Sequence, residues 1–124
     1  MQITLDNTHG AHLIDSCAPG NVTINRVIYY QSLIITPHEI ITAWPPRDVQ
    51  AISVDSLLPI IALKPEVVLL GTGKSMHFID SQLLLLFQQR QIGIEVMSTS
   101  AACRTYNALA ADQRRVVAGL IIHS

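Results

Sequence analysis

Four consecutive apolar residues, Val67-Val68-Leu69-Leu70, stand between Lys64-Pro65 and Gly71-Thr72-Gly73. A strand covered on one face alternates apolar with polar residues, whereas a strand covered on both has no reason to, so this run predicts a central strand in an α/β sheet. The residues that follow fit that setting. Asp80 can cap a helix from Ser81 to about Gln91, with Ile79 and Leu84 placed to staple its first turn. That helix is apolar nearly all round and is expected to be well covered. Gly93 reads as a helix stop, Ile94 to Met97 as a second strand, Ser98-Thr99-Ser100 as caps of a helix to about Asp112, and Val116 to Ile122 as a final strand. The order β-α-β-α-β predicts right-handed parallel pairing for at least the first two strands and opens both strand-to-helix loops at one edge of the sheet.

The first half has shorter pieces. Asn21 to Ile24, Val27 to Tyr30 and Leu33 to Thr36 are rich in β-branched and aromatic residues and are separated by Asn25-Arg26 and Gln31-Ser32, a pattern that predicts an antiparallel meander. Thr36-Pro37-His38-Glu39 reads as a turn before a strand from Ile40 to Trp44, which Pro45-Pro46 ends because proline brings no ladder donor. Trp44 is expected in the core, with its indole N–H in need of a partner. Asp48 to Ser53 links onward to a short or irregular helix over Asp55 to Leu63, where Leu57, Leu58, Ile60 and Ile61 have helical spacing and Pro59 disturbs it.

The chain of 124 residues fits one domain, 1–124, able to bury a core without disulfides or a structural metal. Charged residues make up 14% and hydrophobic ones 49%, which leaves little surface charge and implies apolar surface covered by a protein partner or a second copy. A net charge of −1, with Arg114-Arg115 as the only adjacent basic pair, excludes a nucleic-acid binder. The two cysteines, Cys17 and Cys103, stand in dissimilar contexts and read as free thiols in a reducing compartment. His9 and His12 are close but lack the rest of a ligand set, so no metal or cofactor is expected. Met1 to Asp6 lacks the regions of a signal peptide, and the longest apolar run, Leu83 to Phe87, is too short to span a bilayer; a cytoplasmic protein without membrane insertion is the expectation.

Leu70-Gly71-Thr72-Gly73-Lys74-Ser75 invites a phosphate-loop reading, but that motif needs a glycine five positions before Gly73, where Val68 stands inside the strand. A tight turn beneath a neighbouring loop is the better account. On the helix after Ser98, Ala102, Tyr106 and Leu109 group on one side, while Ser100, Cys103, Arg104 and Asn107 group on the other. The free backbone donors and positive dipole end there favour a small anion, a carboxylate or phosphate, which Arg104 could grip. Cys103 beside Arg104 is in a setting that lowers a thiol pKa, although no histidine lies near it in sequence and cysteine is more often a small buried residue. Ser98, Thr99 and Ser100 are accounted for by capping, Asn107 by a bond to backbone, and Arg104 by an ion pair. The candidate positions are therefore Gly71, Thr72, Gly73, Ser98, Thr99, Cys103, Arg104 and Asn107, with His77 the histidine nearest the glycine turn.

Leu69-Leu70-Gly71-Thr72-Gly73, Gly93-Ile94-Glu95-Val96-Met97 and Ala101-Ala102-Cys103-Arg104-Thr105-Tyr106-Asn107 resemble the Mth-type domain family over nearly the whole chain. That family includes single-domain bacterial and archaeal proteins, an adipogenesis-associated Mth domain-containing protein and the mitochondrial assembly factor 3 of NADH dehydrogenase. The resemblance implies a three-layer α/β fold with a central mixed sheet and a small N-terminal antiparallel sheet, and it brings no established enzymatic activity. For the mitochondrial relatives it implies assembly of a respiratory complex through protein contacts; the N-terminus here lacks a presequence, so another client is expected. The family pattern around Gly73 more often continues without Lys74-Ser75, which speaks further against phosphate chemistry. Two functions follow as expectations: a non-enzymatic binding or assembly module, linked to a respiratory or membrane complex, or an anion-binding protein or enzyme using Cys103 and Arg104.

Overall fold

A computed structural model describes residues 10–122, so the expectations for Met1 to Asp6 and for His9 lie outside the described residues. Three strands, β1 (Ile14–Ala18), β2 (Asn21–Ile24) and β3 (Val27–Tyr29), pair antiparallel in that order as a small sheet. Five more, β4 (Leu33–Ile35), β5 (Ile40–Ile41), β6 (Val67–Gly71), β7 (Gly93–Met97) and β8 (Val116–Leu120), form a mixed sheet in the order β5-β4-β8-β6-β7. The helices are α1 (Val54–Ala62), α2 (Ser81–Gln88) and α3 (Thr99–Ala111).

The uninterrupted apolar run does what a strand covered on both faces requires. Leu69 of β6, with Val116, Ala118 and Leu120 of β8, joins a core with Ala102, Tyr106 and Ala110 of α3 and with Ile14, Val22 and Ile24 of the small sheet. The alternate residues Val68, Leu70 and Val117 join a second core with Leu57 and Ile60 of α1, Phe87 of α2 and Trp44. Three layers result, as expected: α3 and the small sheet, the mixed sheet, then α1 and α2. β6 pairs parallel with both β7 and β8, and Leu69 lies opposite Glu95 and Ala118.

The first half departs from the expected meander. β4 leaves β3 and instead pairs antiparallel with β8, Leu33 opposite Leu120, so the small sheet is completed by β1, a strand the sequence reading did not name. The strand predicted to reach Trp44 stops at Ile41, and Ala43 takes a left-handed φ of 58° that turns the chain before Trp44. Trp44 is 4% exposed and its indole N–H donates to the Ser56 carbonyl at 2.8 Å, as its chemistry demands. The linking stretch holds a single 3-10 turn, Val49–Ala51, capped by Asp48. α1 runs through Pro59 without a break, and a capping box between Ser53 and Ser56 secures its start.

α2 ends at Gln88, short of the predicted Gln91, and it is not well covered: only Phe87 is buried, and Leu85 is 46% exposed. The helix packs beside the edge strand β7, so only one of its stripes meets the sheet. Asp80 caps it as read, accepting from the Gln82 N–H. The chain reversal after α2 falls on Gln91, at φ 58°, and not on Gly93, which already belongs to β7. β8 ends at Leu120, two residues before the predicted limit.

Candidate functional site

Parallel pairing in register brings Gly71 of β6 opposite Met97 of β7, so the two strand-to-helix loops meet at one edge of the sheet. They are stitched together by three short hydrogen bonds, and a fourth ties them to the end of β8. The Thr72 N–H donates to the Met97 carbonyl and the Thr99 N–H to the Gly73 carbonyl, each at 2.8 Å. The Gly73 N–H donates to Thr99 Oγ1 at 2.8 Å, and that hydroxyl donates in turn to the Ile121 carbonyl at 2.7 Å. Gly73 sits at φ 101°, a conformation open to glycine, and a Cβ on Gly71 would lie 2.8 Å from Thr99 Cα. Gly71-Thr72-Gly73 is thus a tight turn packed under the second loop, and its glycines serve that approach.

The anion position suggested by the helix start is largely occupied from within. Of the donors an anion would use, the Thr99 N–H is spent on Gly73 and the Ala101 N–H on the Ser98 hydroxyl at 3.2 Å. Arg104, exposed, donates to Ser100 Oγ at 2.8 Å and not to a carboxylate.

Cys103 is a buried side chain. It is 3% exposed inside the α3 core, because it lies only about 60° around the helix from Tyr106, on the flank of the buried stripe. Burial pushes its pKa well up; the Cys17 side chain beside it pushes the same way, and Arg104 opposes them without prevailing. Asn107 also faces inward. Its Oδ1 accepts from the Ile14 N–H and its Nδ2 donates to the Ile14 carbonyl, both at 2.8 Å, which clamps β1 onto α3. Tyr106, fully buried, donates its hydroxyl to the His12 carbonyl at 2.7 Å, and desolvation raises its pKa. The structure therefore gathers Gly71, Thr72, Gly73, Ser98 and Thr99 at one place, leaves Arg104 on the outside of the same helix start, and turns Cys103 and Asn107 toward β1.

The sequence reading missed what this scaffold holds out. Thr72 Oγ1 donates to the Ser75 carbonyl at 2.7 Å and accepts from the His77 N–H at 3.1 Å, fixing the segment between the turn and Asp80. On that segment Met76 is 45% and Phe78 85% exposed. The available signal was an aromatic and a methionine in a loop without the strand or helix period that would bury them.

At the opposite end of the sheet a cleft of about 370 Å³ is lined by Thr36, His38, Leu63, Ala110, Arg114 and Arg115 among others. Beside it Arg114 pairs with Glu66 at 3.2 Å. The Arg115 N–H bonds the same carboxylate and, with Arg114, holds its pKa low. Among the described residues no group of three or more potential metal ligands occurs, and no helix is long and apolar enough to cross a membrane.

The family described as protein of unknown function (DUF498/DUF598) matches residues 14–121. Over 113 residues the chain is 36% identical to human NADH dehydrogenase (ubiquinone) 1 alpha subcomplex assembly factor 3, covering 90% of this chain and 61% of that protein. The chain spans about three fifths of the length of the curated relatives it matches first. A Xanthomonas campestris protein solved by NMR superposes with a TM-score of 0.83 at 31% identity, covering 98% of this chain and 92% of that one. A Bordetella pertussis protein solved by NMR as a Mth938-like domain gives a TM-score of 0.83 at 25% identity, over the same shares of each chain.

Proposed function

The chain belongs to the DUF498/DUF598 family of proteins of unknown function, and on that premise we propose that it is a protein-binding module that serves the assembly of a larger, respiratory or membrane-associated complex. One observation carries the reading: Phe78 and Met76 stand exposed on a segment that Thr72 holds in place. An exposed aromatic on a rigid support loses little conformational entropy on binding, and aromatic anchors dominate interface energetics. The stitched loops, Gly71 to Gly73 with Ser98 and Thr99, act as the support, and Arg104 contributes a polar rim. The name of the human relative, an assembly factor, supports the same class of role. We take the work to be done in the cytoplasm.

The test compares the tagged full chain with Phe78→Ser and Arg104→Ala in pull-downs from the source cells, with urea unfolding as the control. Phe78→Ser is expected to keep its unfolding midpoint and lose the captured partner, and Arg104→Ala to lose part of it. Capture of the same proteins in the same amounts by Phe78→Ser would defeat the proposal. Sedimentation of the purified chain separates a second copy of itself from a different partner.

A further inference from the structure

The small sheet ends on a bare edge. β3 has a neighbour on one side alone, and its residues Val27-Ile28-Tyr29 include no charge and no proline to discourage a further strand. Val27 and Ile28 are 51% and 50% exposed, and Tyr30 just beyond them is 66% exposed. None of these residues belongs to the loop surface proposed above. We propose that the β3 edges of two copies of this chain pair antiparallel about Ile28, joining two three-stranded sheets into one across a two-fold axis.

The hairpin decides which backbone groups the edge offers. Asn25 and Arg26 take φ of 52° and 69° between the paired residues Ile24 and Val27, a two-residue turn with both central residues left-handed. Such a turn closes with a hydrogen bond between the residues that flank it, so Ile24 and Val27 form a bonded pair. Alternation then makes Thr23 with Ile28 an unbonded pair and Val22 with Tyr29 a bonded one. The N–H and C=O of Ile28 therefore point away from β2, out of the edge. Antiparallel pairing of Ile28 with its own copy uses those groups in two reciprocal bonds, the self-complementary contact of a closed dimer.

The side chains around Ile28 select a second copy as the occupant. Centring on Ile28 sets Val27 of each copy against Tyr29 of the other, an aliphatic–aromatic pair at the closer, unbonded spacing. The same register sets the Arg26 cation of each copy beside the exposed Tyr30 ring of the other and keeps the two arginines apart. A groove of about 310 Å³, lined by Ile28, Tyr30, Thr42 and Ala43 among others, runs beside the end of β3 where the other copy's Asn25-Arg26 turn arrives. That turn is held in shape beforehand, since the Arg26 N–H donates to Asp15 Oδ2 at 2.8 Å. A net charge of −1 per chain adds little repulsion between copies.

The experiment follows the purified full chain by sedimentation and by hydrogen exchange as its concentration is raised. The expected result is a doubling of the sedimenting mass, with exchange at the Ile28 amide slowing in step. Ile28→Lys, which puts two ammonium groups on the axis, is expected to stay at the mass of one chain with its amide spectrum otherwise preserved. Ile28→Cys should link to its own copy on mild oxidation, because facing Cα atoms about 5.5 Å apart suit a disulfide. Ser16→Cys, two strands away on the same face, should form no such link. A chain that remains single at every concentration, or a dimer that Ile28→Lys leaves whole, would overturn the proposal. So would a dimer in which Ile28 exchanges as fast as before, or one that links through Ser16→Cys in place of Ile28→Cys.

Discussion

α2 and α3 occupy equivalent places in the β-α-β-α-β unit, each entered from a parallel strand and each capped by a side chain, Asp80 or Ser98. Their burial runs opposite to their composition. α2, Ser81-Gln82-Leu83-Leu84-Leu85-Leu86-Phe87-Gln88, buries one residue, whereas α3, with Ser100, Arg104, Thr105 and Asn107 along it, buries Thr99, Ala102, Cys103, Tyr106 and Ala110. The difference lies in what surrounds them. α3 is held between the mixed sheet and β1, and Tyr106 and Asn107 spend their polar atoms on the backbone of His12 and Ile14. α2 borders an edge strand, and with Leu85, Met76 and Phe78 exposed around it, its side of the molecule is apolar surface waiting for cover. Burial is thus concentrated on the α3 side, and the exposed apolar side chains on the α2 side, where the proposed partner would bind.

The contrast can be broken by mutation. Gly71→Val forces a Cβ to within 2.8 Å of Thr99 Cα and 3.2 Å of Leu120 Cδ2, where backbone must move. We expect a loss of about 3 kcal/mol or more in urea unfolding. Asn107→Ala removes both bonds to Ile14 and strands that residue's N–H and carbonyl, at a cost of about 2 kcal/mol. Hydrogen exchange at the Ile14 amide should quicken with it while β6 stays protected. A uniform rise in exchange across both sheets would instead mean that β1 is not separately clamped.

Alkaline pH sharpens the same comparison. Cys103 is raised above its ordinary value of 9.0, so the folded chain keeps its proton while the unfolded chain releases one. Its contribution is complete below that value and declines as pH climbs beyond it, by about 1.4 kcal/mol for each further unit. Urea midpoints should be level to about pH 8 and lower at pH 10, and Cys103→Ala should flatten that fall. On the other side, Leu85→Lys is expected to shift stability by no more than about 0.5 kcal/mol while weakening partner capture. A large loss of stability from Leu85→Lys would erase the distinction between the two helices.

Both helices of the unit were legible in the residues, because caps and strand runs are local signals: Asp80, Ser98 and the Val67 to Leu70 run act on their immediate neighbours. The tight turn at Gly71 to Gly73 was legible for the same reason. Coverage was not, since hydrophobicity records what a helix would gain by burial and says nothing of whether a neighbour is there to bury it. β4 was assigned to the wrong sheet because its partner, Leu120 opposite Leu33, stands at the other end of the chain. β1 escaped notice because Asp15, Ser16 and a register shift interrupt its alternation. Within the candidate site, Cys103 was misplaced by its position on the flank of a helical stripe, where a small rotation decides between solvent and core. Phe78 was missed because a loop residue carries no period to read.

β8, the last strand in chain order, lies in the middle of the mixed sheet, between β4 and β6. Without it, β4 with β5 and β6 with β7 are two separate ribbons, each with an unpaired inner edge. The complete sheet requires a pairing across the whole sequence separation from Leu33 to Leu120, which carries a large loop-closure entropy. A nascent chain with β8 still inside the ribosome exposes two sticky edges at once, and the vulnerable interval in the life of this protein is the time between making β6 and releasing β8.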